Sequence, residues 1–178
     1  MNRSASSEVP VDETRLHPAA WPLANLIAGC EQRFQRRSGP GGQHRNKVET
    51  GVFLRHLATG VEAQACERRS QADNLAVAVR RLRLKLAVEC RAAWSGPSPL
   101  WRARCKSGRV VVSDQHEDFP ALLATALDAL AANDWQLRDA AEKLGCTASQ
   151  LVKLLKREPP ALSLLNHQRE AHGEHRLT

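Results

Sequence analysis

A ten-residue segment, SGPGGQHRNK at residues 38–47, constrains the fold of this chain more than any other part of the sequence. Its glycines and proline interrupt both helices and strands, because glycine raises the entropic cost of ordering and proline lacks a backbone N–H. Residues 30–37 before it read as a strand, and residues 51–57 after it are rich in strand-forming side chains. The sequence therefore predicts two strands joined by a long loop.

The centre of this loop is Gly41-Gly42-Gln43. Two consecutive glycines free the backbone to approach a ligand closely, because no Cβ stands in the way. Gln43 then offers a side-chain amide and a backbone N–H at the tip. Basic residues flank the tip on both sides, namely Arg33, Arg36, Arg37, Arg45 and Lys47. An uncharged tip on a cationic base suits a site inside RNA, where the base binds phosphates.

The segments after the loop predict a hairpin that leads into a helix. Residues 61–66 alternate apolar and polar side chains with the period of a half-buried strand, and Thr59-Gly60 predicts the turn before them. Ser70 is a candidate N-cap for the following helix. That helix carries a core-facing stripe at three- and four-residue spacing, formed by Leu75, Val79, Leu82 and Leu86.

The C-terminal half changes in character to a helical, alanine- and leucine-rich sequence. We expect helices at 119–130, 134–145 and 147–156, with the last two spaced like a helix-turn-helix. Pro159-Pro160 is expected to end the last helix. The predicted fold class is α+β: a small mixed β-sheet with a packed helix, bearing the glycine-rich loop, plus this C-terminal all-α module. The predicted divisions are a disordered leader (1–18), the loop-bearing domain (19–93), a linker with a possible strand (94–118), a trihelical module (119–160) and a polar tail (161–178).

Charge is distributed unevenly along the chain. Residues 31–110 contain 17 Lys and Arg against 6 Asp and Glu, whereas residues 121–178 contain 7 of each. The basic half is therefore the candidate nucleic-acid-binding part. The near-neutral helical module argues against specific DNA binding, because binding to DNA depends on phosphate neutralisation. We also expect a chain truncated after Ser113 to keep a folded loop-bearing domain.

Residues 37–74 resemble the catalytic domain of class I peptide chain release factors and of the small ribosome-rescue hydrolases related to them. Arg45 departs from the family's valine, and Ala58 from its proline. The positions that fit the family pattern are Gly41, Gly42, Gln43, His44, Asn46, Lys47, Glu49, His56, Thr59, Gly60, Cys66, Arg69, Ser70, Gln71 and Asn74.

The resemblance implies hydrolysis of the ester between nascent peptide and tRNA, within the large ribosomal subunit. It implies catalytic roles for Gly41, Gly42 and Gln43. The residues expected to bind RNA are Arg36, Arg37, His44, Arg45, Asn46, Lys47, Arg69, Ser70, Gln71 and Asn74. The expected partners are the large-subunit rRNA and peptidyl-tRNA, with no membrane and no specific DNA, and we expect a cytoplasmic monomer that needs no cofactor or metal.

Two sequence features favour rescue over codon-specific termination. The segment before the loop is too short for a decoding domain, and neither Pro-x-Thr nor Ser-Pro-Phe, the stop-reading tripeptides of the family, occurs. The predicted function is therefore stop-codon-independent release on stalled ribosomes. The alternatives are a non-catalytic RNA- or ribosome-binding adaptor, a helix-turn-helix regulator, and a partner in the repair of damaged ribosomes.

Overall fold

A computed structural model describes residues 16–36 and 49–178 of the chain. In these residues the N-terminal half contains a short 3-10 turn (Pro18–Ala20), helix α1 (Leu23–Ala28), strands β1 (Cys30–Gln35), β2 (Gly51–His56) and β3 (Glu62–Ala65), and the long helix α2 (Gln71–Glu89). The C-terminal half contains α3 (Pro99–Arg104), β4 (Cys105–Lys106), β5 (Arg109–Val110), α4 (Phe119–Ala131), α5 (Leu137–Lys143), α6 (Ala148–Leu155) and α7 (Pro159–Ala171).

The predicted α+β class is confirmed, with one difference in the sheet. Strands β1, β2 and β3 are neighbours in that order, and both strand pairs are antiparallel, so the described sheet is antiparallel where a mixed sheet was predicted. For the β2–β3 pair the reason is the short turn at Thr59-Gly60, because short turns connect antiparallel neighbours. Alternation in β3 follows the prediction, because Ala63 and Ala65 are buried and Glu62 and Gln64 are exposed.

Helix α2 covers the sheet and also contacts α4. The predicted stripe is largely confirmed, because Val79, Leu82 and Leu86 are buried and Leu75 packs partly buried against the core. Helix α4 is almost wholly buried, including Phe119, Leu122, Leu123, Leu127 and Leu130. One hydrophobic core therefore runs from the sheet through α2 into the C-terminal helices.

The segment predicted as a linker, residues 94–118, contains α3 and the β4–β5 hairpin. Trp101 on α3 is fully buried, and its Nε1 donates to Leu144 O at 2.7 Å. The possible strand at 109–113 is present only as the two residues of β5. Packing therefore continues across the predicted boundary at residue 119.

The predicted trihelical module contains its three helices as α4, α5 and α6. Helix α5 begins at Leu137 rather than at Asp134, because Asp134 and Trp135 have positive φ angles of 49° and 61°. Gly145, with φ of 68°, follows α5 as a C-terminal residue in the left-handed region. Thr147 caps α6 by accepting from the Gln150 N–H at 3.2 Å.

The two chain ends differ from the predictions. Pro159-Pro160 begins α7, because proline fits the first helical positions, where no N–H partner is needed. The predicted polar tail is therefore helical to Ala171, and Asn166 on α7 exchanges hydrogen bonds with the Leu177 backbone (2.9 and 2.8 Å). At the other end, His17 is buried within the predicted leader, of which residues 1–15 lie outside the described residues. None of the described helices has the length and apolar character needed to cross a membrane.

Candidate functional site

The base of the glycine-rich loop is built by the first two strands. Gln35 at the end of β1 lies opposite Gly51 at the start of β2, so the loop leaves and rejoins the sheet at neighbouring points. A Cβ on Gly51 would lie 3.0 Å from Gln35 O, so glycine permits the close strand approach there. Arg36 and Glu49 follow on either side, with Arg36 Nε 3.4 Å from Glu49 Oε1.

The predicted catalytic tip lies outside the described residues. This holds for Gly41, Gly42 and Gln43, and also for the predicted RNA-binding residues Arg37, His44, Arg45, Asn46 and Lys47. Their roles stay predictions. The described site is therefore the base that presents the loop, together with the N-terminal turn of α2.

Asn74 and Gln71 connect α2 to the returning side of the loop. Asn74 Nδ2 donates to Thr50 O at 2.6 Å, and Gln71 Nε2 donates to Glu49 O at 3.0 Å. Since Gln71 and Asn74 are one helical turn apart, they bind two consecutive backbone carbonyls. We call these two side chains the loop clamp.

Asn74 also holds the turn that precedes α2. Its Oδ1 accepts from the Arg68 N–H at 2.9 Å, and its Nδ2 donates to Arg68 O at 3.0 Å. The side chain is fully buried and its amide is occupied on both atoms. The prediction that Asn74 binds RNA is therefore replaced by a positioning role, because RNA cannot reach this amide.

The other three described site residues differ in what they contact. Ser70 caps α2, since its Oγ accepts from the Asp73 N–H at 3.3 Å, which confirms the predicted cap. Arg69 is exposed beside it. Arg36 is exposed at the loop base in its ion pair with Glu49. Among the predicted RNA-binding residues that the structure describes, Arg36 and Arg69 thus carry an exposed charge that could meet an RNA phosphate.

Basic residues farther along α2 are engaged with the protein itself. Arg81 donates to Gln64 O at 2.7 Å and Lys85 to Glu62 O at 2.8 Å, so both satisfy carbonyls of the edge strand β3. Arg83 donates to Ala19 O and Trp21 O, at 3.0 and 2.7 Å. Burial lowers the pKa of Arg83 from its usual value. These side chains attach α2 to its neighbours, a role that their sequence pattern did not indicate.

His56 at the end of β2 packs behind the site. Its Nδ1 lies 2.8 Å from Thr59 Oγ1, and its ring stacks edge-on to Trp21 with centroids 5.5 Å apart. Burial lowers the pKa of His56, which favours the neutral ring. His56 therefore supports the Thr59-Gly60 turn. Within the described ranges, no three His, Cys, Asp or Glu side chains gather in a way that could hold a metal ion.

Comparison with known proteins places the loop and its clamp in one family. The model of the RF-1 domain matches residues 28–99. Peptide chain release factor 1 of Acidiphilium cryptum (strain JF-5) is 40% identical over 122 residues, covering 61% of this chain and 34% of that protein. Peptide chain release factor 1 of Symbiobacterium thermophilum (strain DSM 24528 / JCM 14929 / IAM 14863 / T) is 37% identical over 87 residues, covering 48% of this chain and 24% of that protein.

A third relative matches a shorter stretch. Peptide chain release factor 2 of Buchnera aphidicola subsp. Baizongia pistaciae (strain Bp) is 49% identical over 51 residues, covering 29% of this chain and 14% of that protein. The chain thus spans about a third or less of the length of these relatives. Residues 28–99, which include Gly41-Gly42-Gln43 and the loop clamp, belong to the RF-1 domain family, the catalytic domain of class I peptide chain release factors.

Proposed function

We propose that this chain releases nascent peptides on the ribosome by hydrolysing the ester bond of peptidyl-tRNA. The observation that carries the proposal is the RF-1 domain match over residues 28–99, within which Gly41-Gly42-Gln43 is intact. The proposed partners are large-subunit rRNA and peptidyl-tRNA, and the proposed location is the cytoplasm.

Ester hydrolysis requires stabilisation of charge on two oxygens. Water attacks the carbonyl carbon, the bond to the tRNA ribose oxygen breaks, and the ribose oxygen takes up a proton. Negative charge develops on the carbonyl oxygen and on the departing ribose oxygen. A fixed backbone N–H stabilises such charge without an ionisable group, and we assign this role to Gln43. Its side chain positions the water and excludes larger nucleophiles, while Gly41 and Gly42 supply the backbone conformation.

The described base supports this assignment because it fixes where the loop begins and ends. The Gln35–Gly51 pairing holds the two sides together, and the loop clamp fixes the returning side through two carbonyls. Precise placement of a reacting group contributes several kcal/mol to catalysis. We assign phosphate contacts around the loop to Arg36, Arg37, Arg45, Lys47 and Arg69.

Release is proposed to be independent of a stop codon. The sequence contains neither Pro-x-Thr nor Ser-Pro-Phe, the tripeptides associated with stop-codon reading in the family. The substrate would then be peptidyl-tRNA on a stalled ribosome. This finer assignment is tested separately from release itself.

Gln43→Ala and Gly42→Ala are expected to reduce release of a labelled peptide from stalled ribosomes by about 100-fold or more. Both variants should keep the stability and ribosome affinity of the unchanged protein, because Gly42 and Gln43 stand in a sequence segment without apolar periodicity. Gln115→Ala, at an exposed glutamine on another loop, is the control and should release peptide normally. Release at the unchanged rate by both loop variants would refute the catalytic assignment and favour a non-catalytic adaptor.

The codon dependence is measured on ribosomes with a stop codon, a sense codon or no codon in the A site. The proposal expects release without a stop codon. Release confined to ribosomes with a stop codon would refute stop-codon independence and leave the hydrolytic assignment in place.

A further inference from the structure

Two segments of the C-terminal half, residues 99–113 and 147–157, contain seven Lys and Arg residues and no Asp or Glu. Two of the seven are engaged within the protein: Arg104 Nε lies 2.8 Å from Asp118 Oδ2, and half-buried Arg157 donates to Val112 O. The other five are exposed, and none forms an ion pair with a described residue. These five are Arg102, Lys106, Arg109, Lys153 and Lys156.

The fold brings the two segments together. Gly108, in the turn of the β4–β5 hairpin, forms a parallel bridge with Cys146, and Thr147 N donates to Gly108 O at 3.4 Å. Cys105 Sγ donates to Gly145 O at 3.4 Å, so the hairpin is held to the start of α6 at two points. The hairpin therefore lies directly beside α6, which β5 contacts.

Like charges face one another in both elements. Lys106 and Arg109 are direct cross-strand partners on either side of the two-residue turn. Lys153 on α6 and Lys156, the C-cap residue of that helix, are three residues apart, a spacing that makes them neighbours on the helix surface. Both arrangements are unfavourable in the absence of an anion. Because no described carboxylate forms an ion pair with these four cations, an external anionic ligand would relieve the repulsion between them.

Three acidic residues of the C-terminal half are engaged elsewhere. Glu174 and Glu170 pair with Arg169 and Arg176, and Asp128 is buried against Arg91. The equal numbers of acids and bases after residue 120 therefore do not describe this face. The basic β4–β5 hairpin also lies within residues 94–118, the segment predicted from the sequence to be a linker.

We infer that the hairpin–helix surface, defined by Arg102, Lys106, Arg109, Lys153 and Lys156, binds the phosphate backbone of double-helical RNA. Ser107 at the turn and Ser149 on α6 are exposed beside these cations and can donate to phosphate or to a ribose 2′-OH. Lysine and serine contacts of this kind fix position without reading base sequence. The choice of RNA over DNA rests on the proposed function on the ribosome.

The inference is tested by binding of the full chain to a 20-base-pair RNA duplex of arbitrary sequence, followed by fluorescence anisotropy between 50 and 200 mM KCl. The surface variant combines Lys106→Gln with Lys153→Gln. A control of equal charge change combines Arg138→Gln with Arg176→Gln, at exposed positions outside both this surface and the RF-1 domain. Contributions from the basic RF-1 domain are common to both variants and cancel in the comparison.

The surface variant is expected to bind the RNA duplex at least about tenfold more weakly than the control, with a salt slope reduced by about 2, since each phosphate contact contributes about 0.9. Equal affinity and slope for the two variants would overturn the inference. A DNA duplex of the same sequence separates the two nucleic acids: a loss for DNA as large as the loss for RNA would overturn the assignment to RNA. Peptide release is measured independently, so normal release by Gln43→Ala would refute the proposed function without affecting this result.

Discussion

Single residues show how the loop base is held. Asn74 alone satisfies three backbone groups, at Thr50 and at both atoms of Arg68, from a fully buried position. Gln71 and the Arg36–Glu49 ion pair act at exposed positions and contribute less, because solvent competes for their contacts. Asn74, through its buried side-chain amide, therefore contributes most to holding the loop base.

Asn74→Ala is expected to lower the free energy of unfolding by about 3 kcal/mol, because it leaves buried backbone groups without partners. Gln71→Ala, which removes an exposed hydrogen bond to the same returning side of the loop, is the matched comparison. It should lower the free energy of unfolding by about 1 kcal/mol or less. Urea denaturation monitored by circular dichroism measures both. Equal costs for the two variants would show that burial of Asn74 does not matter.

His17 should make stability depend on pH. Its Nδ1 accepts from the Ala19 N–H at 3.0 Å and its Nε2 lies 3.1 Å from Cys90 O, an arrangement that suits the neutral ring with Nε2–H as donor. Burial lowers the pKa of His17 to about 4 from 6.5. As pH falls, His17 therefore takes up a proton in the unfolded chain before it does so in the folded chain. The stability that the neutral His17 contributes is complete above pH 6.5 and is lost as pH falls towards 4.

Comparison with His17→Gln isolates this effect from other titrating groups, including Asp128, whose pKa is raised by burial to about 6 and which acts in the opposite direction. The free-energy difference between the unchanged protein and His17→Gln is expected to shrink by about 3 kcal/mol between pH 7.5 and pH 4. Urea denaturation across this range provides the measurement. A difference that stays constant with pH would contradict a neutral, buried His17.

At the scale of elements, α2 holds together the RF-1 half of the chain, residues 28–99. Its N-terminal turn supplies the loop clamp, its apolar stripe covers the sheet, and Arg81 and Lys85 cover carbonyls of β3. Unpaired edge strands favour aggregation, and covering side chains reduce that tendency. The position of the first turn of α2 thus determines the position of the loop base.

Ser70→Ala should therefore destabilise α2 and the loop base together, by about 1 kcal/mol, through loss of the N-cap. Ser70→Asp keeps a capping oxygen and is expected to preserve stability. Thermal unfolding measures the change, and hydrogen exchange at the amides of Asp73 and Asn74 locates it. An alanine variant as stable as the aspartate variant would rule out a capping role for Ser70.

At the scale of the whole molecule, the RF-1 half and the C-terminal helices share one core. Helix α4 is buried along nearly its full length and contacts α2, and Arg91 pairs with Asp128 across the same interface at 3.4 Å. The C-terminal half is thus part of the structural support of α2 rather than an attached module. This packing argues against the sequence-based expectation that the first half folds alone.

Truncation after Ser113 is therefore expected to yield a protein without a cooperative unfolding transition. Each leucine-sized side chain on α4 contributes about 1.5–3 kcal/mol when buried, so loss of several removes an amount comparable to the stability of a domain. Circular dichroism and urea titration of the truncated chain provide the measurement, and a chain ending at Ala171 is the control. Cooperative unfolding of the short chain would show that the halves fold independently.

The sequence by itself determined most of the elements, and it carries the motif from which the role of the tip is predicted. Gly41-Gly42-Gln43, the Ser70 cap, the β3 alternation and the α2 stripe all depend on residues within a few positions of one another, which is the range over which local propensity and periodicity act. The residue-by-residue resemblance then identified the RF-1 domain.

Tertiary structure decided which side chains are buried and which elements are neighbours. Asn74 became a clamp because Thr50, 24 residues earlier, lies beneath it. The hairpin at residues 105–110 became part of a basic surface because residues 145–147 pack against it. Helix α7 and the shared core follow from the same cause: burial is a property of contacts between distant segments, and composition along one segment does not specify its partner.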